Sequence, residues 1–409
     1  MKIAIINHSD SRGGASVVSL RLMDALAAEG VDVSMLVTHK ATGRADVVEA
    51  ASPARCRLPF LAEHARIFAG NGFTRRDLFA VSIATDGLPL ASHPAVRDAD
   101  VVMLNWVNQG MLALGEIAKM ARAGKKIIWT MHDMWNATGV CHHAGTCTRY
   151  TLAPGCGNCP LLHGKGGEHD LSRRTWKCKK ALYDTAGIHF VAVSTWLAGK
   201  CAESPLMAGC RVSVIPNAFP VDEFYIDPRR SRAEMGLPDG RKLIVTGAAR
   251  LDDPVKGLPL AVDALNRLAD AGRTDAHAVF FGAIRDPHAL DGLRLPYTAL
   301  GPVADKDFLH ELYAQSTAVL SSSLYETLPG TLIEGQAAGC FPVSFGEGGQ
   351  ADIIDHGATG YIARYRDTAD LAAGLGMALD GDFEPQALRD SVESRFGART
   401  VARKYLELI

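Results

Sequence analysis

Apolar and polar positions fall in alternating blocks along this chain. Ile3 to Ile6 is a short continuous apolar run. It is followed by the loop Ser11-Arg12-Gly13-Gly14-Ala15 and then by helical spacing to about Ala28, with Gly30 just past its end. Similar apolar runs recur at Val31 to Val37, Val101 to Leu104, Lys126 to Trp129 and Phe190 to Val193. Runs of this kind with helical segments between them, and no tight hairpin signal, predict parallel strands covered on both faces. A second series opens after Val212-Ser213-Val214-Ile215-Pro216-Asn217 and contains Lys242 to Val245, Ala278 to Phe281, Thr317 to Leu320 and Phe341 to Ser344. Helices are expected within it at Leu258 to Ala271 and Asp307 to Gln315. The polar, proline-punctuated stretch Pro220 to Pro238 separates the two series, which places a linker near residues 215–240. The expected fold class is α/β, with one doubly wound domain over 1–215 and another over 216–395, facing across a cleft. Residues 396–409 form an amphipathic helix pattern, able to pack back on the N-terminal domain.

Composition narrows the classes. A content of 47% hydrophobic and 22% charged residues is globular rather than disordered. Lys and Arg (43) nearly balance Asp and Glu (45), which argues against nucleic acid as a partner. No run of about 18 apolar residues is present, so no membrane span is expected. The opening apolar run is too short for a signal peptide and lacks a small-residue cleavage site, so the expected location is cytoplasmic. Nine cysteines is an odd number, and four of them crowd between Cys141 and Cys159. Without an export signal, that crowding predicts thiols or a metal site rather than disulfides.

Three segments of the second half carry candidate chemistry. Gly247-Ala248-Ala249-Arg250 follows an expected strand, and Asp253-Pro254-Val255-Lys256-Gly257 precedes a helix. Arg250 and Lys256 would then stand where two cations and free backbone N–H groups stabilise a diphosphate; an ordinary surface pair is the plain alternative. Next, Tyr325-Glu326-Thr327-Leu328-Pro329-Gly330-Thr331-Leu332-Ile333-Glu334 places one carboxylate in a loop and one inside a helix. The N–H groups at that helix start, near Leu328, Gly330 and Thr331, are unpaired and available to a ligand. Glu334 can accept bonds from adjacent ribose hydroxyls, and Glu326 can reach sugar hydroxyls beyond a diphosphate. Finally, Gly346-Glu347-Gly348-Gly349-Gln350 permits close backbone approach, as a phosphate or sugar loop needs, or merely a flexible connection.

In this order, the three segments resemble the donor half of the retaining GT-B glycosyltransferases of family 4, with a cationic Arg and Lys, then Glu-x7-Glu, then a glycine loop. Gly13-Gly14 and His132 occupy the places of that family's N-terminal glycine loop and cleft histidine, so the resemblance covers most of the chain. It implies a GT-B architecture of two Rossmann-like domains and a nucleoside-diphosphate sugar as donor. It implies further that Arg250 and Lys256 hold the donor diphosphate, that Glu326 faces the transferred sugar and that Glu334 binds the ribose. Two departures bear on fine donor contacts: Thr327-Leu328-Pro329-Gly330 replaces a frequent Gly-aromatic-Gly run, and the acidic residue after the glycine loop is displaced to Asp352.

In the first half, Thr130-Met131-His132-Asp133-Met134-Trp135 follows a strand, which projects His132 into the cleft. In the resembling family a histidine there touches the donor sugar or its phosphate. An imidazole could bond a hydroxyl or, if protonated, relieve charge on a departing diphosphate. Asp133 is read alternatively as a cap. Beyond lies Cys141-x5-Cys147-x8-Cys156-x2-Cys159, the core of an insertion over about 136–180. Four soft ligands without a carboxylate fit a structural Zn²⁺, with an iron–sulfur cluster or plain thiols as alternatives. The metal reading rests on spacing alone. His132-Asp133-Met134-Trp135, the cysteine pattern and Cys159-Pro160 also resemble exopolysaccharide glycosyltransferases similar to those of colanic acid and capsule assembly. Arg173-Arg174-Thr175-Trp176-Lys177-Cys178-Lys179-Lys180 suits an anionic bilayer or a pyrophosphate-lipid acceptor, or else a solvated basic helix face.

The expected reaction is sugar transfer from a nucleoside-diphosphate sugar to a glycan or lipid-linked acceptor, with retention, at the cytoplasmic face of the inner membrane. The family resemblance implies front-face attack with no enzyme nucleophile and no cofactor for catalysis. Two rivals are a nucleotide-sugar epimerase of the same architecture, which needs further acid/base carboxylates, and a non-catalytic glycan- or nucleotide-binding scaffold.

Overall fold

The computed structural model describes residues 1–164 and 166–409. The chain divides into two compact units: Met1–Ala218 with Ala398–Ile409, and Phe219–Gly397. In the first, the strands are β1 (Lys2–Ser9), β2 (Asp32–His39), β3 (Val47–Glu49), β4 (Val101–Leu104), β5 (Lys126–Met131), β6 (His189–Ala192) and β7 (Arg211–Val214). They pair in parallel in the order β3-β2-β1-β4-β5-β6-β7. The connecting helices are α1 (Gly14–Ala28), α2 (Pro53–Gly70), α3 (Pro94–Arg97), α4 (Leu114–Arg122), α5 (Leu171–Tyr183) and α6 (Thr195–Ala202). The core strands are buried on both faces; β4 is buried at all of its positions, which is why these runs are continuously apolar instead of alternating.

In the second unit, β8 (Lys242–Arg250), β9 (Ala276–Ala283), β10 (Tyr297–Gly301), β11 (Ala318–Ser321), β12 (Phe341–Phe345) and β13 (Tyr361–Ala363) form a parallel sheet in the order β10-β9-β8-β11-β12-β13. Its helices are α7 (Leu258–Asp270), α8 (Lys306–Ala314), α9 (Gly330–Ala337), α10 (Thr368–Asp380) and α11 (Pro385–Phe396). Gly247 to Arg250 does not lie beyond the strand as expected. β8 continues to Arg250, paired with Ala283 of β9 after a register shift that begins at Gly247. At Gly247 the Phe281 ring occupies the space that a Cβ would need.

The last helix, α12 (Ala398–Leu406), belongs to the first unit. Val401, Ala402 and Tyr405 are buried in the cluster that holds Ile3, Leu22 and Leu26. The Tyr405 hydroxyl lies 2.9 Å from Thr130 Oγ1 of β5.

Both sheets reverse their strand order at one point, between β1 and β4 and between β8 and β11. At such a switch point the adjacent loops leave in opposite directions and open a crevice at the carboxyl ends of the strands. That locates where each unit can take a ligand.

Candidate active site

In the second unit, three loops meet at the β8/β11 switch point. The first leaves β8 at Arg250 and makes a tight turn over Pro254–Lys256, whose start is capped by Asp253 Oδ1 accepting from Val255 N–H (3.1 Å). Gly257, at φ 63°, redirects the chain into α7. The second loop, leaving β11, is fastened to the first: Leu324 N–H donates to Val255 O and Ser322 Oγ–H to Lys256 O, each at 2.8 Å. The third, after β12, pairs with the second, since Gly349 N–H donates to Glu326 O at 2.9 Å. Gly348 permits this approach. It sits at φ 133°, and a Cβ there would lie 2.0 Å from Glu326 O.

This backbone places the side chains. Lys256 Nζ donates to Glu326 Oε1 at 2.5 Å, and both side chains are partly exposed. Arg250 donates from Nη2 to Asp253 Oδ2 at 2.9 Å. Its Nε has no hydrogen-bond partner although buried, and lies 3.6 Å from Asp252 Oδ1. The start of α9 has no side-chain cap. Pro329 precedes Gly330 and Thr331 there, so the N–H groups of the first turn keep their free ends. Leu328 is buried beneath this turn. Glu334, further along α9, accepts a hydrogen bond from the Tyr313 hydroxyl of α8 at 3.3 Å. Two cations and an uncapped helix start form a surface suited to a diphosphate, and Glu326 and Glu334 offer acceptors for hydroxyls.

In the first unit, Gly13 and Gly14 form the turn into α1, with Gly13 at φ 80° and open space where either Cβ would be. His132 follows β5 and shares a cavity of about 10 Å³ with Asn105, Thr130 and Tyr405. Its Nε2 has no partner among the described residues. Burial lowers its pKa to about 4 against the opposing pull of Asp133, so the imidazole is neutral at neutral pH. This corrects the option of a standing imidazolium: in this unit the ring bonds as a neutral donor or acceptor.

Asp133 is a cap, as one of its two readings holds, since Oδ1 accepts from Trp135 N–H at 2.8 Å. It does more than that. Oδ2 accepts from the Trp106 indole N–H (3.1 Å) and lies 2.7 Å from His142 Nδ1, whose Nε2 is 3.2 Å from Ser82 Oγ. Burial works against the carboxylate, but His142, the Trp135 N–H and His143 together outweigh it and the pKa of Asp133 falls to about 2. Sequence reasoning missed this network. Its only linear trace is an Asp after a strand and a His nine residues on.

The structure does not show the four-cysteine zinc site, although the thiols of Cys141, Cys147, Cys156 and Cys159 lie close enough to feel one another's charge. Among the described residues, no three His, Cys, Asp or Glu side chains converge as ligands, and Cys141, Cys147, Cys156 and Cys159 are free thiols. Packing explains why. Cys141 belongs to a small apolar cluster with Ile67, Val81 and Val140, against which Cys159 packs. Cys156 Sγ accepts the Gly139 N–H at 3.2 Å. Burial pushes the Cys141 thiol up to about 11 and Cys159 up to about 12, so without a metal these thiols are neutral at neutral pH. The basic run of α5 is likewise not one face. Lys179 is fully buried, donates to Trp135 O (2.6 Å) and Thr138 O (3.1 Å), and sits 3.2 Å above the Trp135 ring.

The description "Glycosyl transferases group 1" matches residues 241–380, and "Glycosyltransferase Family 4" matches residues 12–223, just over half of the chain. No curated protein matches. Among solved structures, a glycosyltransferase from Rickettsia africae is 17% identical with a TM-score of 0.67, over 100% of this chain and 97% of that one. Sucrose-phosphate synthase from Thermosynechococcus elongatus is 18% identical with a TM-score of 0.63, over 100% and 98%. Anabaena HepE in complex with UDP-glucose is 15% identical with a TM-score of 0.61, over 100% and 99%. At these identities the structures speak to the fold, which is GT-B. The chain belongs to glycosyltransferase family 4.

Proposed function

We propose that the protein is a retaining glycosyltransferase that moves a sugar from a nucleoside diphosphate to a hydroxyl of a glycan or lipid-linked acceptor, in the assembly of a cell-surface polysaccharide. The observation that carries this reading is the Lys256–Glu326 pair, held at 2.5 Å, with Arg250 at the carboxyl end of β8 and the uncapped start of α9 after β11. Lys256, Arg250 and the N–H groups near Leu328, Gly330 and Thr331 take the diphosphate. Glu334 takes the ribose hydroxyls and Glu326 those of the sugar. In the reaction, the bond from the anomeric carbon to the diphosphate oxygen breaks and its electron pair leaves with that oxygen. The acceptor oxygen bonds the same face of the carbon, and its proton passes to the departing diphosphate. No protein nucleophile is needed, so the protein's contribution is positioning and stabilisation of the leaving charge. His132, as a neutral ring, and the Gly13-Gly14 turn complete the reading from the first unit.

A uridine diphosphate sugar is the first donor to test, because HepE is described in complex with UDP-glucose. A panel of UDP-, GDP- and ADP-sugars should raise Tm for one base, since a ligand that binds only the native state stabilises it. Transfer to an acceptor extract should then follow with that donor and vanish in Glu326→Ala. Conversion of donor without acceptor would favour an epimerase. Full function in Glu326→Ala would favour a binding scaffold.

A further inference from the structure

α2 has an apolar side turned to water. Its inward side carries Glu63, His64 and Ile67, all buried. Glu63 is the only acid of the helix, and its Oε1 is occupied by the N–H groups of Ile83 (2.7 Å) and Ala84 (3.0 Å). On the outward side, Ala54, Leu58, Leu61, Ala65 and Ala69 recur at steps of three and four and form one stripe. Leu58 is 68% exposed and Leu61 54%. Just beyond the helix, Phe73 (73%) and Phe79 (61%) are exposed as well.

The charges around this stripe are almost all of one sign. Arg55, Arg57 and Arg66 are exposed on α2, and Arg75 and Arg76 lie beside Phe73. Arg66 pairs with Asp86 (3.0 Å) and Arg76 with Asp77 (3.5 Å). Arg55, Arg57 and Arg75 have no ionic partner among the described residues. Against the last turn of α2 opens a groove of about 890 Å³, walled largely by apolar side chains such as Ile83, Leu114 and Leu171. Arg66, Arg122 and Arg174 stand in its lining, the last two without an ionic partner among the described residues.

A contiguous apolar surface in water is unfavourable and marks a contact site. Arginines flanking such a stripe, with no exposed carboxylate on the helix, match a layer that is anionic at its surface and apolar beneath. We propose that α2 lies in the plane of an anionic phospholipid bilayer. Leu58, Leu61, Phe73 and Phe79 enter the boundary between headgroups and acyl chains, and the groove takes a lipid phosphate against Arg66, Arg122 and Arg174. This places the lipid-facing surface on α2, whereas the α5 run that suggested one is divided between interior and exterior. In purpose it rests on the transfer reading, because a lipid-linked acceptor is presented at such a surface.

The test is co-sedimentation of the full chain with phosphatidylcholine vesicles, with and without phosphatidylglycerol. Binding should require phosphatidylglycerol, weaken with salt, and fall at least about fivefold in the Leu58→Asp/Leu61→Asp and Arg55→Glu/Arg57→Glu variants. Failure of the wild type to bind anionic vesicles, or equal binding by both variants, overturns the proposal. So does self-association that Leu58→Asp/Leu61→Asp abolishes in the absence of vesicle binding, since a second copy would then cover the face. Donor-induced stabilisation is measured on the same samples. Its absence from the wild type would count against the transfer reading alone, and its retention in the variants shows that they are folded.

Discussion

Lys256 Nζ and Glu326 Oε1 lie 2.5 Å apart, although 70 positions separate the two residues in the chain. Neither element alone places them. The turn after β8 and the loop after β11 are stitched together by backbone bonds, and the ion pair lies over that seam. As a partly exposed pair it contributes at most about 1 kcal/mol to stability. Its value to a charged ligand is larger, because the ammonium is already oriented. Lys256→Met should therefore lower turnover by about 100-fold or more and raise the donor KM, while Glu326→Gln lowers kcat with less effect on KM. Both should keep Tm within about 2–4 °C of the wild type. Unchanged kinetics in Lys256→Met would remove the ammonium from the donor site.

Two glycines hold that seam closed, and they supply a test without touching a charged group. Gly257 has φ 63° and a Cβ there would meet Ser322 O at 2.2 Å; Gly348 has φ 133° and would meet Glu326 O at 2.0 Å. In both cases the obstacle is backbone, so a side chain forces the loops apart. Gly257→Ala and Gly348→Ala should each destabilise by about 1–3 kcal/mol and reduce activity further than stability explains. Gly376→Ala in α10, with open space around its Cβ, is the control and should be neutral or stabilising by up to about 1 kcal/mol. Full activity in Gly348→Ala would mean that the position of Glu326 does not depend on this clasp.

Much of this was legible in the chain. Continuous apolar runs predict fully buried parallel strands, and Lys256, Glu326 and the glycine loop are recognisable because each follows a strand, and Arg250 because it ends one, where doubly wound sheets bind ligands. Short elements such as β3 and β13 are not legible, as three residues carry no period. The cysteine spacing alone does not fix a metal site, because spacing limits which residues can meet but not which way they face: Cys141 is drawn into an apolar cluster. Lys179 misled for a similar reason, since a charge run says nothing of the one member that turns inward to satisfy two carbonyls. The Trp106–Asp133–His142 network joins the loop after β4 to two points of the long connection after β5 and has no linear signature.

Burial of Lys179 has a measurable consequence. Lys179→Met would keep the aliphatic volume and leave Trp135 O and Thr138 O without this donor. Trp135 O keeps the Thr138 N–H at 3.3 Å, but Thr138 O is left with no donor among the described residues; one unsatisfied buried acceptor costs about 1–3 kcal/mol, so urea unfolding should show a loss of that size. Lys177→Met, on the exposed side of α5, should change stability by no more than about 0.5 kcal/mol. Equal effects of the two variants would contradict the inward orientation of Lys179.

The thiols report on the insertion directly. All nine cysteines are free, and Cys178 alone is exposed. Burial raises Cys141 to about 11, and Cys159 and Cys201 to about 12, so few of these are thiolates at neutral pH. A thiol reagent should therefore show one fast site in the native protein, lost in Cys178→Ser, and nine sites after denaturation. A fast phase that persists in Cys178→Ser and is lost only when Cys141→Ser and Cys159→Ser are added would show that the cluster around Cys141 is open to solvent, since half-buried Cys56, Cys147 and Cys210 are unchanged in that variant.

Two histidines at the carboxyl ends of β1 and β5 contribute to the pH dependence of stability, in the same direction as His93, His189 and His277, which burial also lowers. His8 and His132 both fall from the ordinary 6.5 to about 4, chiefly through burial; His39 and Arg12 add to the effect at His8, while Asp133 opposes it at His132. Between pH 4 and 6.5 the unfolded chain therefore binds more protons than the native one, and stability falls as the pH drops through that window. Above 6.5 both states carry these rings neutral, and they contribute no slope. Asp133 acts lower down: its pKa of about 2 stabilises the native state above the ordinary 3.8, and that contribution disappears as the pH falls towards 2. Each histidine can contribute up to about 1.4 kcal/mol per pH unit within its window. Unfolding free energies measured from pH 7.5 to 4 should therefore show a plateau and then a decline, shallower in His8→Gln and in His132→Gln. Parallel declines in the wild type and both variants would assign the acid sensitivity to other groups.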